Sequence, residues 1–292
     1  LGLPEEPDWV LSAPYSDKTL IRNTLAYELG NQMGSYAPRT EFMELFINDR
    51  EDLIIEGGYK GLYTLIERIK RDKDRINIER LNPDDIDISG GYVIEMNPLK
   101  RIKKYESYFT TNMGTAFIVK YPNEDKITLM QKEWITNYMN DFENSLYSDN
   151  FKDLNEGYKK YINVDSFIDY ILLNELFQNI DVFWAGTYLY KDKGNKISIG
   201  PIWDFDASSG NHVFRADSPY IEFTGFDYLE KTWTEMLFKD NDFTTKYIAR
   251  WKELRNSVLK NENIDSIIER NVEALSDARK RNFNKWDILG KY

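Results

Sequence analysis

The sequence predicts an α+β fold, with strands gathered early in the chain and helices later. Three observations predict it. Short runs rich in β-branched and aromatic residues, bounded by Gly, Pro and Asn, recur as far as Tyr121. From Thr128 onward the apolar residues recur at helical spacing instead. Pro122 closes the last early strand and sets a boundary near 122–127, giving an α+β part over 1–125 and a mainly helical part over 126–292.

Asp17 is placed to cap a helix running to Met33, because Leu20, Ile21, Thr24, Leu25, Leu29 and Met33 recur at helical spacing, and Gly34 can end it. The stretch 41–47 is expected as a strand, 48–58 as a loop and 61–67 as a second strand. A charged segment and an acidic turn at Pro83-Asp84-Asp85 lead to a third strand at 91–96, and 117–121 forms a fourth. Thr128 and Gln131 have the form of a capping box, ahead of a face made by Ile127, Met130, Trp134, Tyr138, Phe142 and Leu146. Asp165 is expected to cap a helix through Ile168, Ile171, Leu172 and Leu176. A hairpin follows, 187–191 and 196–199 about Lys193-Gly194-Asn195. In the last quarter Ile264, Ile268, Val272, Leu275 and Phe283 keep helical spacing.

Composition excludes several function classes. A formal charge of −11, with acids spread along the chain, argues against nucleic-acid binding, which relies on clustered Lys and Arg. It suits a basic protein partner, and equally a surface charged for solubility. With no Cys there are no disulfides, thiolate nucleophiles or zinc–thiolate sites. No apolar run reaches the roughly 18 residues a membrane span needs. The chain opens on Leu1-Gly2-Leu3-Pro4 without an initiator Met, so it is expected to be a processed or trimmed piece.

Acids are the plentiful reactive groups, and two stand in unusual company. Asp181 follows a helix, Asp204 follows a strand in Gly200-Pro201-Ile202-Trp203-Asp204-Phe205-Asp206, and one hairpin separates them. Protein kinases present a catalytic-loop Asp and then a magnesium-binding Asp in this order. Magnesium prefers one or two carboxylates, with phosphates and waters completing its shell. Phosphoryl transfer needs mainly positioning and charge neutralisation. The alternatives are plainer: Asp204-Phe205-Asp206 as a helix-capping loop, and Asp181 as an N-cap. There is no His-Arg-Asp, no glycine-rich phosphate loop and no Walker-type sequence; His212, the single histidine, reads as incidental. With one His and no Cys, a nucleophilic triad is not expected.

Several segments resemble the CotH kinase family. They include Trp9-Val10-Leu11-Ser12-Ala13-Pro14-Tyr15-Ser16-Asp17-Lys18-Thr19-Leu20-Ile21-Arg22-Asn23, Tyr59-Lys60-Gly61-Leu62-Tyr63, Gly90-Gly91-Tyr92-Val93-Ile94-Glu95, Asn174-Glu175 through Asp181, Thr187-Tyr188-Leu189-Tyr190-Lys191 and the segment ending Asp204-Phe205-Asp206. The matches run over about residues 1–211. The family is named for a spore-coat protein, and its members resemble atypical, secretory-type protein kinases that phosphorylate Ser residues of surface or coat proteins.

The resemblance implies a two-lobed atypical protein-kinase-like fold, with an N-lobe over 1–125 lacking its first strands and a helical C-lobe over 126–292. It implies ATP and Mg2+ or Mn2+ as cofactors, a Ser-bearing coat or surface protein as partner, and an extracellular or cell-envelope location, the spore coat included. It makes Asp204 the metal-binding residue, joined by Asp206 and Asn211. It makes Asp181 the catalytic-loop Asp, with Asn179 assisting at the nucleotide. The glycine-rich loop and phosphate-binding Lys are expected in the missing start, and the 49–57 loop is longer than relatives usually have.

Lys120, in a setting that resembles Val-Ala-Ile-Lys, and Arg22, in the matched helix, are the candidate phosphate cations; the alternative for each is a solvated charge. Glu143 is a candidate partner for Lys120. Glu67 is placed to face the cleft from its strand, or else to be buried in a pair. Two other functions compete with the kinase: a non-catalytic surface or scaffold module, and a glycosyltransferase using Asp204-Phe205-Asp206 as an Asp-x-Asp metal motif. The latter needs an alternating strand–helix sheet ahead of it, and no such pattern precedes it.

Overall fold

The computed structural model describes residues 2–48, 58–211 and 233–291 and has the α+β class that the sequence predicts, with two sheets and seven helices among those residues. Residues 49–57 and His212 lie outside the described residues.

The first sheet is small. Strands β1 (Trp9–Ser12), β2 (Thr40–Phe46) and β3 (Tyr59–Glu67) pair antiparallel in the order β1-β3-β2. Helix α1 (Arg22–Gln32) lies between β1 and β2 in sequence. It begins later than expected, yet Asp17 still serves its entrance: the buried carboxylate accepts the backbone N–H groups of Thr19 and Arg22, each at 2.9 Å.

The second sheet has five antiparallel strands in the order β5-β6-β4-β7-β8: β4 (Tyr92–Met96), β5 (Tyr108–Thr110), β6 (Ala116–Tyr121), β7 (Thr187–Lys191) and β8 (Ser198–Ile199). Strands from both sides of residue 125 share it, because β4 pairs with β6 and with β7. This central place explains the unbroken apolar run Tyr92-Val93-Ile94, each 0% exposed. Tyr92 and Ile94 face the main core, whereas Val93 packs with Ile69, Ile76, Ile78 and Tyr188 on the other side. β1 and β5 were not expected; four- and three-residue edge strands are too short to show alternation.

Helix α2 (Leu129–Leu146) starts on the capping box read from Thr128 and Gln131. Its buried stripe is Ile135, Met139, Phe142 and Leu146; Met130, expected on that face, is 70% exposed. The helix is rotated so that Trp134 lies flat on Tyr92 of the sheet, with centroids 5.7 Å apart. Helix α3 (Val164–Phe177) is capped by Asn163, whose side chain accepts from Ser166 N–H. Asp165, expected as the cap, lies in the first turn, where its charge suits the helix dipole.

Helices α4 (Thr234–Leu237), α5 (Asn241–Arg255), α6 (Asn261–Ala274) and α7 (Ala278–Lys285) bear out the helical last quarter, although Val272 points outward. α7 returns to the first sheet, where the Asn282 side chain accepts from Leu62 N–H at 2.9 Å. Trp233, just before α4, is fully buried among Phe117, Phe142, Phe167 and Phe183. Among the described residues no helix is long and apolar enough to cross a membrane.

Candidate active site

α3 ends in a left-handed residue, Gln178 (φ 49°), and the chain turns at once into the Asp181 loop. Asn179, 3% exposed, fixes that turn. Its backbone N–H reaches the Asn174 carbonyl, its side-chain amide donates to Asn174 Oδ1 at 3.1 Å, and its Oδ1 accepts from Asp181 N–H at 3.3 Å. The resemblance sets Asn179 beside the nucleotide; in the fold its amide is spent on holding Asp181. The Asp181 carbonyl accepts from the N–H groups of Trp184 and Ala185 at 3.1 and 3.0 Å, so Asp181 sits on a rigid single turn.

β8 delivers the second acid. Asp204 has a left-handed backbone (φ 61°), a conformation open to Asp and Asn but unusual for other side chains. Its backbone N–H donates to the Tyr27 hydroxyl at 3.2 Å, and Phe205 N–H donates to Asn23 Oδ1 at 2.7 Å. The Phe205 ring is 0% exposed, wedged edge-on against Phe177 and Tyr27. The Ser16 hydroxyl donates to the Asp206 carboxylate. Asn211 donates to the Ser16 carbonyl at 3.1 Å and the Asp206 carbonyl at 2.6 Å, and Arg22 Nε to the Ser208 carbonyl at 3.1 Å. Helix α1 and its lead-in thus grip the Asp204 loop by its backbone. The anchors are side chains distant in sequence, which is why Asn23, Tyr27 and Ser16 were not foreseen.

Asp204 keeps one face open to solvent while protein crowds the rest of its carboxyl. Desolvation, then the charge and hydrogen bond of Asp206, then the charge of Asp181 push it up to about 7; the Arg101 guanidinium works the other way. The charges of Asp206 and Asp181 therefore both bear on Asp204, opposed by Arg101. Among the described residues no three Asp, Glu or His side chains cluster tightly enough to cage a metal alone. Asp204 and Asp206 share a proton, and its loss would leave two carboxylates of the kind a magnesium-type ion takes when phosphates and waters complete its shell. The donor set fits such an ion.

The candidate cations part company. Lys120 pairs with Glu95 at 3.0 Å, not with Glu143. Glu143 is buried, accepting from the Thr115 hydroxyl at 2.7 Å and Trp233 Nε1 at 3.0 Å. Glu95 in turn borders Tyr188, whose hydroxyl is raised by burial and by the charges of Glu95 and Asp204. Lys120, Glu95 and Tyr188 thus line one face of the sheet. Arg22 is committed to Asp17 and to the Ser208 carbonyl, so it braces the loop. Glu67, 0% exposed, is consumed by Arg39 at 2.7 Å and Arg75 at 3.7 Å, with the Tyr36 hydroxyl at 3.3 Å; burial in pairs decides that choice against the cleft.

Sequence reasoning missed Arg101. It lies in a 3₁₀ turn, Leu99–Arg101, with its guanidinium 4.2 Å from the centroid of the Trp184 ring in the Asp181 loop. The basic run Lys100-Arg101-Ile102-Lys103-Lys104 was visible in the chain, but its proximity to Asp204 was not. A separate polar cleft of about 770 Å3, lined by Asn163, Lys159, Tyr190, Asp192 and Lys196, includes none of the three acids. Lys159 and Lys196 there already have acid or backbone partners.

A family model described as CotH kinase protein matches residues 2–292, and so takes in the last helices as well as the segments that carried the resemblance. No curated protein matches the chain.

Proposed function

Given that the chain belongs to the CotH kinase family, we propose that it is an ATP- and divalent-metal-dependent protein kinase acting on Ser residues of a surface or coat protein. One observation carries the proposal: Asn23, Tyr27 and Ser16 hold Asp204 and Asp206 together on one gripped loop, with the charge of Asp181 bearing on Asp204. Asp204 and Asp206 would hold Mg2+ or Mn2+, which supplies charge neutralisation for the phosphates of ATP. Asp181 orients the acceptor hydroxyl and takes its proton. Arg101 and Lys120 add positive charge toward the phosphates. Asn179, Asn211 and Arg22 hold the two loops in place. In this reading 1–125 and 126–292 correspond to the two lobes of a kinase, with β7 and β8 of the second joining the sheet of the first, and the protein works at the cell envelope or outside the cell.

The glycosyltransferase reading gains no support, since every strand pairing between the named strands is antiparallel. The scaffold reading is separated by activity. With labelled ATP, Mn2+ and a Ser-rich acceptor, Asp181→Asn is expected to slow transfer by roughly 10²–10⁴-fold and to leave ATP–Mn2+ affinity nearly unchanged. If the unaltered chain neither binds ATP–Mn2+ nor labels any acceptor, the kinase reading fails.

A second expectation follows from proton competition. With Asp204 held up to about 7, Mn2+ affinity should weaken toward tenfold per pH unit below that value and level off above it. Titration calorimetry across this range checks it, and a flat profile would take Asp204 out of the metal site.

A further inference from the structure

Beside the acidic centre lies a surface of opposite sign. In a chain of formal charge −11, Lys100, Arg101, Lys103 and Lys104 fall in one short stretch between β4 and β5, and all four are exposed. Rings hold three of them: Arg101 stands 4.2 Å and Lys100 6.0 Å from the Trp184 centroid, and Lys103 stands 5.7 Å from that of Tyr105. No ion pair among the described residues uses any of the four. Glu106, the acid on the same stretch, accepts from the Lys103 backbone N–H at 2.8 Å. Trp184 and Tyr105 are themselves 43% and 66% exposed.

The position of this ledge matters as much as its charge. Trp184 donates its backbone N–H to the Asp181 carbonyl at 3.1 Å, so the ledge begins on the turn that carries the candidate base. A chain reaching Asp181 with an acceptor hydroxyl passes beside it. We propose that Lys100, Lys103 and Lys104, with Trp184 and Tyr105, bind an acidic segment flanking the acceptor Ser, so that this enzyme prefers acidic acceptor proteins, while Arg101 stays with the acidic centre. The proposal rests on the kinase reading for the role of Asp181. Carboxylates supply the close ion-pair partner that Lys100, Lys103 and Lys104 lack, and the rings supply flat contact area. A basic acceptor would meet like charge there.

The test uses the whole chain and two fluorescent peptides, each with a central Ser, one flanked by Glu and one by Lys. Fluorescence anisotropy is expected to show the Glu peptide binding at least tenfold more tightly, with affinity falling as salt is added. Lys103→Glu combined with Lys104→Glu should remove that preference and leave ATP–Mn2+ affinity and the melting temperature unchanged. Equal binding of the Glu peptide by both proteins overturns the proposal. So does a shift in ATP–Mn2+ affinity in place of peptide affinity, which would give the ledge to the nucleotide. Tighter binding of a single-stranded oligonucleotide than of the Glu peptide overturns it too. Preference for the Glu peptide in a chain that binds no ATP–Mn2+ would uphold the ledge and remove the kinase.

Discussion

Asp204→Asn is expected to abolish metal-dependent transfer and, at the same time, to raise the melting temperature of the metal-free chain. Asn tolerates the left-handed backbone at this position (φ 61°), so the loop keeps its shape. What changes is charge. Folding holds the Asp204 carboxyl up to about 7, above its ordinary value of 3.8, so the folded chain prefers it protonated. The cost to stability is absent below about pH 4, grows as pH rises, and is complete above about 7. One face of Asp204 is open to water, and screening there reduces the gain from Asn to the order of 1–2 kcal/mol. That corresponds to a rise of a few degrees near pH 8 and none near pH 4. Added ATP–Mn2+ should then stabilise the original chain and not the variant. Equal stabilisation of both proteins by ATP–Mn2+ would place the metal elsewhere.

Glu67→Gln is expected to destabilise the fold strongly and to leave nucleotide affinity alone. Glu67 is the single acid between Arg39 and Arg75, and the Arg75 side chain is 1% exposed. Arg75 also donates to the Arg68 and Asp8 carbonyls and stacks over Trp9, so it cannot swing out to water. Removing the charge of one partner from a buried pair typically costs about 3–5 kcal/mol. The 35% exposure of the Arg39 side chain puts the expected loss near the lower end, about 3 kcal/mol. Urea unfolding measures the loss, and titration of the folded variant with ATP–Mn2+ measures binding. A cleft-facing Glu67 predicts the reverse pattern, with affinity lost and stability kept.

These two residues mark where the sequence could and could not be read. Asp204 stood out as a candidate because its markers in the chain are local: a strand before it, Phe205 after it, and a hairpin linking it to Asp181. The capping box at Thr128, the hairpin and the four longer strands were legible for the same reason, since their signals span only a few neighbouring residues. Glu67 was ambiguous because an acid on a strand points one way or the other according to what packs against it, and Arg39 and Arg75 come from outside its strand. Arg22 and Lys120 were ambiguous in the same manner, because the carboxylates that pair with them, Asp17 and Glu95, are set by packing.

By itself, then, the sequence determined the α+β class, the kinase family to which the chain belongs, and the two acids most worth testing. Only the tertiary structure decided that α1 grips the Asp204 loop through Asn23, Tyr27 and Ser16, and that Arg101 stands beside Trp184 near Asp181. The physical reason is one of range. Helix caps, turns and alternation act over a few residues and leave their mark in the order of the chain. Charge and desolvation act across space, and they have no address until the chain has folded.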